Sequence, residues 1–241
     1  TLTTSSAASD VYKRQPLDQE GIPGKAVTTI DEGKREAHCV LLPPDGKNIY
    51  VPYVKENLAL LQYAYDSKTG KVTPLETKNA KPPLGSGPRH MAYHPTLPMV
   101  YFSNEQGIGL SSYHREINGE LKVAQDINIL PAGMSKIGLS ASDLVITPDG
   151  EFLFAGLRGH SQDFNRISRY RILKDGLAEF IGLTEADRIP WGLTLSPDGR
   201  FLLVSATAGA SLTAYQISPD GDLKKITSLP WDPKMSDLVA Q

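Results

Sequence analysis

The side chains able to do chemistry in this sequence stand where short apolar runs begin or end. His38 opens the apolar run 39–42, and an imidazole at the end of a strand is an acid/base group suited to near-neutral pH. Arg89 and His90 follow Gly87-Pro88, a pair that fixes how the chain enters the next apolar run and so where the guanidinium points. Held that way, a guanidinium grips a carboxylate or phosphate through two parallel hydrogen bonds. Glu105 follows Asn104 after the apolar run 99–102. A carboxylate at the end of a buried strand needs a partner. It either pairs with Arg89 or, with its proton affinity raised, activates a water. Arg158 follows the run 152–156 in the same way, with His160 two residues beyond. Asp143 precedes the run 144–146 and reads more readily as a turn or cap than as the partner of a cation. His94 and His114 read as turn and surface residues, and Cys39 as a small buried hydrophobe. Arg166, Arg169 and Arg171 alternate along one stretch and read as a solvated strand face.

What must position these groups is a repeat. Residues 38–76, 90–123, 143–180 and 192–226 share one plan, anchored by Pro44, Pro95, Pro148 and Pro197 roughly 50 residues apart. In each, an apolar run leads to a turn, spelled Pro-Asp-Gly in three of the four units. A second apolar run follows, such as 48–52 or 201–205. The third carries an aromatic near its end: Tyr63, Tyr113, Tyr170 or Tyr215. A Gly-containing turn then leads to a polar fourth strand suited to an exposed edge. Four antiparallel strands repeated at a fixed period describe a propeller blade better than a sandwich. The expected fold is therefore all-β, a partial β-propeller with about four four-stranded blades over residues 16–241. Strand ends from successive blades converge on one axis, which makes Glu105 and Arg158 neighbours. Residues 21–37 are expected to supply the last strand of an earlier blade and 230–241 the first of a later one. Residues 1–15 show no strand or helix period and no signal-peptide pattern, and read as a non-native or disordered segment. Only 181–187 has any helical character. A chain ending in uncovered blade faces is expected to be poorly stable alone.

Composition excludes several classes. The formal charge is -2, from 25 basic and 27 acidic residues, so no basic face marks a nucleic-acid binder. No apolar stretch is long enough for a membrane-spanning helix. One cysteine permits no internal disulfide and suits a reducing, cytoplasmic setting. Phosphate-binding loops, dinucleotide-binding glycine patterns, metal-ligand spacings and serine-hydrolase elbows have no match.

The segments AHCVLLPPDGKNIYVP, GSGPRHMAYHP, VYFSNE and SDLVITPDGEFLFAGLRGH resemble the propeller-type lactonases. That family includes the seven-bladed 6-phosphogluconolactonases and the fungal carboxymuconate-lactonizing enzymes. The resemblance runs over about residues 21–229 and implies a seven-bladed parent fold. It also implies metal-independent lactone chemistry, no cofactor and a small anionic lactone as partner. It places the catalytic set at His38, Arg89, Glu105 and Arg158; beside it, His90, His160 and Trp191 are read from their places in the chain as candidate substrate contacts. Members often carry Pro-Arg-Gly where this chain has Pro190-Trp191-Gly192. If that arginine holds the substrate's phosphate, one anion contact is lost here, and Trp191 either packs on a sugar or aromatic ring or simply fills the space. Three readings stay open: hydrolysis of 6-phosphogluconolactone or a related lactone, the reverse ring closure of a carboxymuconate, and a non-catalytic binding propeller.

Overall fold

The structure is a computed structural model and describes residues 11–43, 45–54, 58–231 and 238. Among the described residues every regular element is a strand. In chain order they are β1 (Val11–Arg14), β2 (Thr28–Asp31), β3 (Asn48–Tyr53), β4 (Ala59–Tyr65), β5 (Val72–Asn79), β6 (Pro88–Tyr93), β7 (Met99–Asn104), β8 (Gly109–Arg115), β9 (Leu121–Asn128), β10 (Leu139–Ile146), β11 (Phe152–Gly159), β12 (Arg166–Ile172), β13 (Ala178–Glu185), β14 (Pro190–Leu195), β15 (Phe201–Ala206), β16 (Ser211–Ile217) and β17 (Leu223–Pro230). Sheets β6–β9, β10–β13 and β14–β17 are four-stranded antiparallel meanders, as a propeller blade requires. Burial follows the order of strands. The second strands β7 and β11 are buried throughout, whereas the fourth strand β17 is almost wholly exposed. Tyr63, Tyr113, Tyr170 and Tyr215 are all buried, as expected of the aromatics near the third-strand ends.

Three expectations need correction. The first blade has three strands, β3–β5, instead of four. Residues 36–38 lie along its inner edge, held by one bridge (Ala37 to Tyr53) and by the bond from His38 N–H to the Pro52 carbonyl at 3.0 Å. Pro52 has no N–H to return that bond, which explains why the ladder stops there. His38 thus sits beside a strand edge, not in a strand. Next, the stretch 181–187 with helical character is strand as far as Glu185. Finally, of residues 21–37 only Thr28–Asp31 form a strand, and it pairs with Val11–Arg14, from the segment read as outside the fold. Anchor Pro44 and most of 230–241 lie outside the described residues.

Packing between blades repeats at two successive seams. Tyr50 on β3 donates its hydroxyl to the Gly119 carbonyl of the next blade at 2.6 Å, and Tyr101 on β7 donates to the Gly176 carbonyl at 2.8 Å. Each glycine sits in the turn between third and fourth strands. At Gly176 φ is +83°, and a Cβ there would fall 2.4 Å from Met99 Cγ. Backbone angle and close approach both demand glycine. Apolar clusters fill the same seams; one joins Tyr101, Leu110, Leu144, Leu153 and Tyr170.

Entry into each inner strand is also uniform. Glu36, Gly87, Gly138 and Ile189 all have left-handed φ, at 60°, 61°, 76° and 59°. Their carbonyls accept the N–H groups of Val54, Glu105, His160 and Thr207, the residues that follow or end the second strands. One end of every blade is thereby set at the same height, and that end carries the polar residues singled out above.

Removing the Tyr101 hydroxyl (Tyr101→Phe) is expected to cost ~1 kcal/mol. Gly176→Ala is expected to cost ~2 kcal/mol or more from the backbone angle and the Met99 contact. Both would appear as lower urea midpoints at unchanged slope.

Candidate active site

Each four-stranded blade carries a one-residue bulge on its inner strand, at the same level. On β6 it lies between Pro88 and Met91, on β10 between Ala141 and Leu144, and on β14 between Pro190 and Gly192. The residues within are Arg89 and His90, Ser142 and Asp143, and Trp191. A bulge bends the strand and re-aims its side chains, so these residues turn toward the shared end of the blades. Hydrogen bonds tie the bulges together. His90 N–H donates to Ser103 Oγ at 3.2 Å, Ser103 Oγ–H to the Ser142 carbonyl at 2.7 Å, and Ser142 Oγ–H to the Pro190 carbonyl at 2.8 Å. Gly87 sets the entry to the first bulge. With φ at +61°, it takes the Glu105 N–H on its carbonyl, and a Cβ there would fall 1.7 Å from Gln106 Oε1.

Glu105 is where the blades meet. Its Oε2 lies 3.0 Å from Arg89 Nε and 3.6 Å from Arg158 Nη2. Its backbone carbonyl accepts the Ala141 N–H at 3.2 Å, and the Ala141 carbonyl in turn accepts Arg158 Nη2–H at 2.8 Å. Both guanidiniums are buried, with side-chain exposures of 1% and 4%. The Trp191 ring covers them, its centroid 4.4 Å from the Arg158 guanidinium carbon and 5.5 Å from that of Arg89. Arg89 Nη1 and Arg158 Nε have no protein hydrogen-bond acceptor. The two arginines line a cavity of about 180 Å³ together with Glu36, His38, Glu105 and Trp191. A larger opening of about 530 Å³ beside Leu41, Met91, Leu144 and Leu195 brings no carboxylate, imidazole or cation together.

Burial pulls both guanidiniums down. For Arg158 the value is about 10, with the Arg89 charge adding to burial and Glu105 opposing both. For Arg89, burial outweighs the support of Glu105 and Asp143. His38 is depressed to about 2, first by burial and then by the charges of Arg89 and His90. Its ring packs against that of His90 with centroids 5.1 Å apart. His90 Nδ1 lies 2.6 Å from Asp143 Oδ1. Burial alone would raise Asp143, but His90, the Leu193 N–H and Arg89 outweigh it and hold the carboxyl below its usual range.

The model of the seven-bladed β-propeller lactonases matches residues 6–234. The chain belongs to that family. It is 29% identical over 210 residues to the 6-phosphogluconolactonase of Erwinia tasmaniensis, and 28% identical over 229 residues to that of Pectobacterium carotovorum. These matches cover 86% and 93% of the chain but only 61% and 66% of the relatives, so the chain spans less than two thirds of their length. Among solved structures, the periplasmic gluconolactonase PpgL of Pseudomonas aeruginosa superposes with a TM-score of 0.81 at 22% identity, over 91% of this chain and 63% of its own. A protein from Lactobacillus plantarum does so at 0.80 and 18% identity, over 95% and 67%. Both likenesses speak for the fold alone. No helix among the described residues is long and apolar enough to cross a membrane.

Within this lactonase-family chain, His38, Arg89, Glu105, Arg158 and Trp191 line one cavity. His90 stands behind His38, outside that lining. His160 is also outside it, with Nε2 2.8 Å from Ser140 Oγ and its protonation disfavoured by burial and by Arg158. Burial first, and then the charges of Arg89 and His90, pull His38 far below the near-neutral range expected of it. Trp191 packs on the arginines. Arg169 is no solvated arginine, since it pairs with Asp222 of the next blade. His94 does hold a turn, its Nδ1 accepting the Thr96 and Leu97 N–H groups. Sequence reasoning ranked Asp143 as a turn or cap ahead of a partner for a cation, whereas its two oxygens reach His90 and Leu193 on different blades. It missed Glu36, which lines the cavity. A register count of the inner strands would have found Asp143, since the extra residue in each appears only against the partner strand.

Glu105→Gln leaves two buried guanidiniums without a counter-charge and is expected to cost ~3–5 kcal/mol in urea unfolding. His38 makes stability pH-dependent. The unfolded chain protonates it below pH ~6.5, whereas the folded chain does so only near pH 2. In that window the unfolded state binds the extra proton, so stability rises with pH and is lost on acidification, by at most ~1.4 kcal/mol per pH unit. The stability lead of the native chain over His38→Gln is therefore expected to shrink between about pH 7.5 and about pH 5.

Proposed function

We propose that the site hydrolyses a small anionic sugar lactone, 6-phosphogluconolactone to 6-phosphogluconate in the best-supported case. The observation that carries this reading is the Glu105 carboxylate shared by Arg89 and Arg158 on the wall of a small cavity. Water attack on a lactone carbonyl builds negative charge on that oxygen. Buried N–H donors placed in advance stabilise the charge most, because they neither reorganise nor compete with bulk water. Arg89 Nη1 and Arg158 Nε are such donors, being buried, charged and without a protein acceptor. Glu105 holds both guanidiniums in place while leaving those N–H groups to the substrate. His38, neutral beside them, supplies a polar wall without adding a third cation. His90 and His160 flank the site as outer contacts.

The relatives named 6-phosphogluconolactonase support the phosphorylated substrate. A cytoplasmic setting goes with that substrate, and the buried free thiol of Cys39 is compatible with it. Trp191 favours hydrolysis of a saturated lactone over ring closure on a planar muconate. Its stacking on Arg158 commits the ring to holding the guanidinium, which leaves less of it to serve as a platform for a flat substrate.

The test is hydrolysis of 6-phosphoglucono-δ-lactone and of glucono-δ-lactone, followed by acid release and corrected for spontaneous opening. Arg89→Ala and Arg158→Ala are each expected to lower kcat/KM by about 10²–10³-fold. Native rates in both variants would remove the assignment. A preference for the unphosphorylated lactone would move the substrate away from the phosphosugar.

A further inference from the structure

We propose that His90, oriented by Asp143, is the group that accepts the proton of the attacking water and returns it to the leaving ring oxygen. Asp143 is thus a positioning residue for the reaction, an inference that rests on the lactonase reading above. The argument begins with what Asp143 can do. One oxygen, Oδ1, lies 2.6 Å from His90 Nδ1 and accepts the Leu144 N–H at 2.9 Å; the other, Oδ2, accepts the Leu193 N–H at 2.9 Å. The carboxyl is therefore fixed from two blades and oriented as an acceptor. An ionised carboxylate has no proton to give, so the hydrogen between the two residues belongs to His90 Nδ1. That leaves Nε2 as the nitrogen with the lone pair, and a proton taken there creates an imidazolium whose charge already faces Asp143.

None of the other candidates offers this combination. Glu105 is occupied by two guanidiniums. His38 is buried next to Arg89, and its protonation is disfavoured on both counts. His160 has a serine for a partner and a cation nearby. His90 alone has a carboxylate, and its side chain is 26% exposed. Its ring packs on that of His38, a residue lining the cavity, with centroids 5.1 Å apart. The titratable groups facing it are Asp143 on β10 and His38 before β3, with Arg89 next to it on its own strand and, through Arg89, Glu105 and Arg158.

The step balances. A water O–H bond breaks and its proton passes to His90 Nε2, while the oxygen bonds to the lactone carbonyl carbon. The carbonyl π pair becomes an oxyanion against the arginine N–H groups. On collapse the ring C–O bond breaks, and the alkoxide takes the proton back from Nε2, leaving a hydroxy acid.

The test compares native protein with Asp143→Asn, His90→Gln and the surface control His114→Gln on 6-phosphoglucono-δ-lactone. Unfolding midpoints confirm that each variant is folded. Asn keeps acceptor and donor in place of the carboxylate, so a folded Asp143→Asn isolates the loss of charge. If Asp143→Asn does not fold, His90→Gln, which leaves Asp143 and its backbone contacts intact, decides alone. His90→Gln is expected to lower kcat by about 10²–10⁴-fold with KM within a few-fold. Asp143→Asn should lower kcat by at least about tenfold and move the acid limb of kcat/KM to lower pH, because the imidazolium has lost its counter-charge. His114→Gln should match native protein. Native kcat in His90→Gln, or an unmoved acid limb in a folded Asp143→Asn, overturns the proposal. If Arg89→Ala is inactive in the same assay while His90→Gln is not, the proposal alone fails. If native protein gives no turnover above spontaneous opening, the lactonase reading fails and the proposal with it.

Discussion

Two guanidiniums buried around one carboxylate impose the constraint that the rest of the site obeys. Taking an ion out of water costs several kcal/mol, and attraction to a counter-ion offsets that only where geometry is tightly held. Arg89 comes from the inner strand of one blade, Glu105 from the end of the next strand of the same blade, and Arg158 from the blade beyond. Holding two guanidiniums from separate strands 3.0 Å and 3.6 Å from one carboxylate oxygen means holding the strand ends. The backbone does so directly: Gly87 takes the Glu105 N–H, Glu105 takes that of Ala141, and Ala141 takes the Arg158 guanidinium. Ion triad and backbone belt are one structure, and neither would be stable at that place without the other.

The bulges on β6, β10 and β14 supply the side chains that this belt presents. A regular strand sends neighbouring residues to opposite faces, so it could not aim both Arg89 and His90 toward the site end. The extra residue relaxes that rule once per blade, at the cost of a ladder hydrogen bond. Left-handed residues just upstream complete the device. Glycine fills that position before β6 and β10, but Glu36 and Ile189 fill it before the first and last blades. A β-branched residue at φ 59° is strained. It persists two residues before Trp191, where its carbonyl anchors Thr207. Strain stored beside a site is the expected location, since there the surrounding hydrogen bonds over-determine the backbone.

What was legible in the sequence follows from this division. The blades were legible because strand periodicity, Pro-Asp-Gly turns and third-strand tyrosines are local signals; Glu105 and Arg158 were legible because each follows a second apolar run at an equivalent place in the repeat, and Arg89 because Gly87-Pro88 fixes the entry to a first strand. The loss of the first blade's inner strand turned on Pro52, whose missing N–H matters only once it is known which neighbour its carbonyl faces. Pairing of Thr28–Asp31 with Val11–Arg14 was hidden by a segment with no period of its own. Asp143 was misread because an aspartate before an apolar run is usually a cap. Its role depends on a register shift that no single strand reveals. The same applies to His38, since imidazoles look alike in a sequence and differ only in what surrounds them.

That difference between histidines completes the electrostatic logic. A site that stabilises an oxyanion needs positive charge and low water content, and both conditions oppose protonation of any base placed among the arginines. His38 shows the consequence, remaining neutral against Arg89. A proton acceptor therefore has to stand near the guanidiniums yet carry its own counter-charge, and that counter-charge must be too well fixed to be captured by the arginines. Asp143 meets both conditions: two backbone N–H groups, of Leu144 and Leu193, hold it against His90, and its oxygens are committed before any substrate arrives. Anion stabilisation and proton transfer can then occupy adjacent bulges without each suppressing the other. One extra residue per inner strand is the smallest change to a blade that provides both.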